Sequence, residues 1–235
     1  MSSQRVQEIV RAARASGDGT ARVTHVCGLA AGTLPVNGVG LSLTGGRGRH
    51  SRVAATDEVS GKIEDLQVLL GQGPCVDAVT AGAPVLVADM SRPSVRARWP
   101  VFASAAADLG VRAAFAVPLL VGDLRLGAMD LYRDDVGSLD LAQVQEAQDY
   151  ATAAVEILLE LHNRAGAGGV RSLAAGWGAT SLVAQATGMV MVQLDVDANA
   201  AFAALRARAY QEDRGLQDVA RDVIERRTRL DGPPK

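Results

Sequence analysis

This chain has almost no cysteine. Only Cys27 and Cys75 occur among its 235 residues, in unlike contexts, so it has neither a disulfide framework nor thiolates at metal-ligand spacing. His25, His50 and His162 are scattered, with no carboxylate or thiol at ligand spacing. That pattern predicts no metal site, no nucleophile triad and no cofactor. No run of eighteen apolar residues exists, which argues against a transmembrane helix and a membrane partner. Residues 1–20 lack the apolar core and cleavage site of a secretory signal, so a cytoplasmic protein is expected. Charge of one sign is also missing. The net charge is −2, which speaks against non-specific grip on nucleic acid through a broad positive field. No internal repeat or low-complexity tract is visible.

What is present describes a globular protein: 48% hydrophobic and 21% charged residues, on a chain long enough for one large or two modest domains. Val6, Ile9, Val10 and Ala13 share one face of an opening helix. Val23, Val26, Cys27 and Ala30 do the same over residues 21–31. Val39, Leu41 and Leu43, then Val53 and Ala55, alternate around Gly45-Gly46-Arg47-Gly48, the pattern of a hairpin. Ile63, Leu66, Leu69 and Leu70 predict a helix closed by Gly71. Residues 84–88 predict a strand, and 99–109 a helix stopped by Gly110. Residues 113–121 and 124–132 predict a second hairpin, turning at Gly122-Asp123 and bent by Pro118. A long helix over 139–161 carries Val144, Ala147, Ala151, Ala154, Leu158 and Leu161 on one face. Gly166, Gly168 and Gly169 then break the pattern, and the domain boundary is placed there, giving residues 1–165 and 166–235.

Beyond the break the periodicity predicts three short helices. Val183, Ala186, Val190 and Leu194 form one stripe. Phe202, Leu205 and Ala209 form the next, with Asp195 or Asp197 as the N-cap. Leu216, Val219, Ala220, Val223 and Ile224 form the third. Gly188 sits inside the first helix, where glycine costs about 1 kcal/mol against alanine. Its presence predicts close approach of another backbone or a ligand. The run Gln185-Ala186-Thr187-Gly188-Met189, with Ala201-Phe202, Leu205-Arg206, Ala209, Leu216, Val219-Ala220 and Val223-Ile224, resembles the ANTAR domain of transcription-antitermination regulators, which binds RNA.

The first 165 residues, ordered helix, hairpin, helix, strand, helix, hairpin, long helix, imply an antiparallel sheet with helices packed on it. They resemble a GAF domain, a small-molecule sensing module. The resemblance is carried by Gly71-Gln72-Gly73-Pro74-Cys75-Val76-Asp77-Ala78, Pro84-Val85 with Asp89, and Trp99-Pro100-Val101-Phe102. Gly110-Val111-Arg112, Val117-Pro118-Leu119 and Leu126-Gly127-Ala128-Met129-Asp130-Leu131-Tyr132 complete it. The expected fold class is therefore α+β, a GAF domain followed by an all-α three-helix ANTAR bundle.

Together the resemblances imply a non-enzymatic regulator that senses a signal through a small-molecule ligand and binds RNA hairpin loops in nascent transcripts, as a homodimer. The candidate RNA-contacting residues are Thr187, Gly188, Arg206, Arg208, Tyr210 and Arg214. Arginine's planar fork suits phosphate, and Tyr210, one turn from Arg206, suits stacking on an unpaired base. Arg221 and later arginines, interleaved with acids, read as a solvated face. ANTAR domains often carry lysine where this chain has Thr187, and that loss of charge removes one phosphate contact. Residues 166–235 hold 9 basic and 8 acidic side chains, so affinity must come from a few placed arginines. Two alternatives remain: a helical tail that binds a protein, or a thiol reductase in which the start of a helix stabilises the Cys75 thiolate. Dimerisation is expected through the opening and long helices, where Ala147, Ala151 and Ala154 would permit close approach.

Overall fold

The structure, a computed structural model, describes residues 2–17, 19–44, 50–164 and 178–230. The chain divides into two compact units, Met1–Val170 and Arg171–Lys235. The glycine-rich joint at 166–169 and the turn at 45–48 lie outside the described residues.

The first unit is built on a five-stranded antiparallel sheet, ordered β2-β1-β5-β4-β3. Its strands are β1 (Gly38–Thr44), β2 (His50–Ala55), β3 (Val85–Val87), β4 (Ala113–Val121) and β5 (Leu124–Arg133). β1 is buried on both faces, which requires a helical layer on each side. One layer comprises α1 (Ser2–Ala15), α2 (Thr20–Thr33) and α7 (Leu141–Arg164), which pack on one another. The stripes of α1 and α2 foreseen from spacing are buried throughout, as are Ala147, Ala151 and Ala154 of α7. Those alanines therefore serve packing within the chain, not a free face for a second copy. At the rim Arg5 pairs with Glu146 and Arg14 with Glu160, while Gln7 Nε2 donates to Glu156 at 3.1 Å. Exposed pairs of this kind add at most about 1 kcal/mol each, so the apolar stripes hold the layer.

The opposite layer comprises α3 (Glu58–Leu70), α4 (Pro74–Ala81), α5 (Pro93–Arg98) and α6 (Pro100–Asp108). Asp57 caps α3, accepting from Ser60 N at 2.9 Å, and Gly71 ends it in the left-handed region at φ 62°. The helix expected over 99–109 forms as α6, and the short α5 before it was not foreseen; Trp99 separates the two, because Pro100 disfavours a helical conformation in the residue before it. Trp99 is buried edge-on against Phe102, ring centroids 6.2 Å apart, and its Nε1 donates to Asp77 at 3.2 Å. Pro118 keeps its register opposite Ala128, and the irregularity in β4 falls one residue later, between Leu119 and Leu120.

The second unit holds α8 (Gly178–Leu194), α9 (Ala198–Gln211) and α10 (Leu216–Ile224). Its core is Ala186, Val190, Ala201, Leu205, Ala209, Leu216, Val219, Ala220 and Val223, as the stripes required. Asp197 is the cap of α9, accepting from Ala200 N at 2.9 Å, whereas Asp195 ends α8 with φ 53°. No helix of the described residues is long and apolar enough to cross a membrane.

Replacing Asp57 with alanine leaves the first amides of α3 without their acceptor. Asp57→Ala is expected to cost about 1 kcal/mol, read as a lower urea midpoint at unchanged slope.

Candidate functional site

The second unit presents a small polar surface on α9. Arg206 is half-buried, its guanidinium 5.8 Å from the Phe202 ring centroid, and burial lowers its pKa from the ordinary arginine value. Phe202 is therefore a half-buried platform for Arg206 and not part of the innermost core. Tyr210, one turn on, is 58% exposed. Arg208 pairs with Glu212 at 2.6 Å, and Arg214 pairs with both Glu212 at 3.2 Å and Asp222 at 2.6 Å. The Asp222 carboxylate, held below its usual range by hydrogen bonds from Arg214 and then Arg227, links α10 to this network.

Two candidates on α8 stand differently from expectation. Thr187 is buried, and its hydroxyl donates to the Val183 carbonyl at 2.6 Å. This is the back-bond of a helical threonine, and it leaves Thr187 no surface to offer a ligand. Gly188 is exposed, and a Cβ built there meets nothing within 4 Å among the described residues. No second backbone approaches it, so internal packing does not explain this glycine.

The first unit contains a cluster that sequence spacing did not reveal. Asp130 and Tyr132 alternate with Met129 and Leu131 along β5, and so face α3 and α4. Gly38 and Gly40 of β1 lie opposite Tyr132 and Asp130. A side chain at Gly40 would collide with Glu64, so this glycine makes room for the acid that α3 projects inward. Tyr132 Oη donates to Glu64 Oε1 at 2.6 Å, and Gln67 Nε2 donates to Tyr132 Oη at 3.2 Å. Gln67 Oε1 in turn accepts from Cys75 N at 2.8 Å, and Cys75 Sγ shares a 3.0 Å hydrogen bond with Ser42 Oγ.

Every member of this network is buried. Glu64 Oε2 and both Asp130 carboxyl oxygens have no hydrogen-bond partner among the described residues, although Glu64, Cys75 and Gln67 lie near enough to bias the charge of Asp130. Burial pushes Glu64 up to about 7, against the lowering effect of Asp130, Tyr132 and Ser42. Asp130 is raised well above the usual carboxyl range, first by burial and then by the Glu64 charge. Burial also raises the thiols, Cys75 well above its ordinary value and Cys27 to about 12. Cys75 is the second residue of α4, but desolvation outweighs what the start of that helix offers a thiolate, and neither cysteine has the character of a nucleophile. The signal for this cluster was an aspartate set among apolar residues in β5, with Glu64 and Gln67 three apart on α3.

A family model of the GAF domain matches residues 23–158, more than half of the chain, and one of the ANTAR domain matches residues 179–224. The chain belongs to the GAF domain family and carries a C-terminal ANTAR domain. As a GAF–ANTAR protein it joins a sensing module to an RNA-binding antitermination module, the content of a sensor–regulator. No curated protein matches it. Among solved structures it is similar to the GAF domain of an Acinetobacter phosphoenolpyruvate-protein phosphotransferase, at 11% identity and TM-score 0.53, over 70% of this chain and 96% of that one. The corresponding domain from Coxiella burnetii gives 15%, 0.52, 70% and 97%. A type II free methionine-R-sulfoxide reductase from Thermoplasma acidophilum gives 18%, 0.47, 65% and 96%. Identities this low show the fold alone.

Two outcomes follow for this GAF–ANTAR protein. Gly188→Ala has open space for its methyl and is expected to stabilise α8 by about 1 kcal/mol, seen in chemical denaturation. Glu64 has a folded pKa above that of an exposed glutamate, so its contribution to stability is full in acid and is lost as pH rises through about 7; Asp130 acts in the same direction. The melting temperature of the wild type is expected to fall between about pH 5 and about pH 8, and Glu64→Gln to flatten that fall.

Proposed function

We propose that this protein is a ligand-responsive regulator of transcription antitermination. Its C-terminal bundle would bind hairpin loops in a nascent transcript as a homodimer and so keep a terminator from forming. The observation that carries this reading is the α9 surface, where exposed Tyr210 stands one turn from an Arg206 guanidinium poised over Phe202. An aromatic face beside a partly desolvated cation is suited to an unpaired base and its phosphate. Arg208 and Arg214 are held by Glu212 and Asp222, and exposed Gly188 leaves room for a backbone to come close. Thr187 is left out of the surface. The boundary between sensor and effector is placed between residues 165 and 166, and ligand binding in the sensor alters the exposure or spacing of the two effector bundles.

The second reading, a tail that docks on a protein, is favoured by the pairing of Arg208, Arg214, Arg221 and Arg227 with carboxylates, which quenches the positive field. Binding to a pool of small RNA hairpins, by gel shift or filter retention, separates the two. Tyr210→Ala is expected to weaken RNA binding by about 1–3 kcal/mol, the worth of one stacked base. Arg206→Ala is expected to weaken it and to lower the salt slope by about 0.7, the value of one phosphate contact on a single strand. Affinity unchanged by Arg206→Ala at several salt concentrations removes that residue from the site, and no binding by the wild type to any hairpin favours the protein-docking reading.

A further inference from the structure

Glu64, Cys75 and Asp130 come from α3, α4 and β5, and bring one ligand atom each to within 4.8 Å of the others. For three atoms so placed, some point lies within about 2.8 Å of all of them, so an inward shift of several tenths of an ångström reaches the 2.0–2.3 Å of zinc–oxygen and zinc–sulfur bonds. Proximity of acids alone would not make a site. The independent observation is that Glu64 Oε2 and both Asp130 oxygens are fully buried and make no hydrogen bond of normal geometry among the described residues, although Glu64, Cys75 and Gln67 lie near enough to bias the charge of Asp130. A protein core does not leave three carboxyl oxygens in that condition without a proton or a cation to satisfy them.

We propose that Glu64, Cys75 and Asp130 form a binding site for a borderline-soft divalent cation of the zinc class, and that this cation is a ligand of the sensor domain. The mixed donor set decides the class: a thiolate selects against magnesium and calcium, and the carboxylates against copper(I). Ser42 Oγ lies 3.0 Å from Cys75 Sγ, beside the donor set. Tyr132 Oη, donating to Glu64 at 2.6 Å, orients that ligand as outer-shell partners do, and Gln67 fixes the backbone of Cys75. On binding, the metal takes the sulfur and carboxylate lone pairs, and the protons that burial holds on Cys75 and Asp130 leave to solvent; no oxidation state changes. The proposal rests on reading the first unit as the sensor, but its test measures metal occupancy and not RNA binding, so either can fail alone.

The test is titration of the full chain, freed of metal under reducing conditions, with cobalt(II). One cobalt per chain is expected, with a thiolate-to-cobalt charge-transfer band that zinc abolishes by displacement. Cys75→Ala is expected to remove the band and Asp130→Asn, its isostere, to weaken binding at least about tenfold, while circular dichroism stays unchanged. Tyr132→Phe is expected to weaken it about 10–100-fold. X-ray absorption of the wild-type complex checks the donor set without any variant, and one sulfur neighbour among oxygens is expected. The proposal is overturned by failure of the folded wild type to take up cobalt or zinc stoichiometrically. Uptake indifferent to both Cys75→Ala and Asp130→Asn, or a coordination shell without sulfur, overturns it equally.

Discussion

The first unit depends on one costly arrangement: two carboxyl groups, Glu64 and Asp130, enclosed together between a sheet and the helices that cover it. A core built only for stability would place leucine or valine there, since burying an acid against apolar surroundings is unfavourable unless its oxygens are satisfied. Around this point the local sequence is bent to accommodation. Gly40 has no side chain because Glu64 occupies that space, and Gly73 adopts φ 130° where a Cβ would strike Gln67. The apolar cluster of Ile63, Met90, Trp99, Phe102 and Ala106 packs beside it and closes it from water. Patterning elsewhere in the unit is consistent, so the departure is confined to this one point.

The second unit uses the opposite logic. Its core is small residues closely packed, and its polar groups lie outside, mostly satisfied by one another. Glu212 and Asp222 each hold two arginines, so the pairs form a network at the junction of α9 and α10. Exposed pairs are individually weak and screened by salt, so this network stays open to exchange for a phosphate partner. Arg206 differs because it is drawn against an aromatic ring and partly desolvated, which strengthens its attraction for an anion.

Periodicity makes the helical layers legible in the sequence. The stripes at Val6, Val23 and Leu216 needed only a register and a face, and both are local properties of sequence. The helix at 100–108 was legible, but α5 before it was not, because its six residues carry no buried apolar stripe. The alanines of α7 misled for another reason: small residues permit close approach but do not say to what, and here they meet their own sheet layer. Thr187 looked like a replacement for a phosphate-binding lysine, yet a threonine hydroxyl can satisfy itself on the carbonyl four residues back. The polar cluster was out of reach because it is a tertiary fact. Ser42, Glu64, Gln67, Cys75 and Asp130 span four elements, and apart from Glu64 and Gln67 on α3 no spacing along the chain relates them.

The position of Asp130 gives the cluster mechanical leverage. β5 is the central strand, hydrogen-bonded to β1 on one side and β4 on the other, and Asp130 faces Gly40 and Ala116 across those two ladders. A shift of its carboxyl moves a strand that both neighbours must follow, whereas the same shift in β2 or β3 would end at an edge. α7 packs on β4 and on α2, so the last described helix of the first unit rests on a strand next to β5. Protonated, the two carboxyl groups are neutral; charged, they repel each other, so the state of the cluster bears directly on the contact of β5 with α3 and α4.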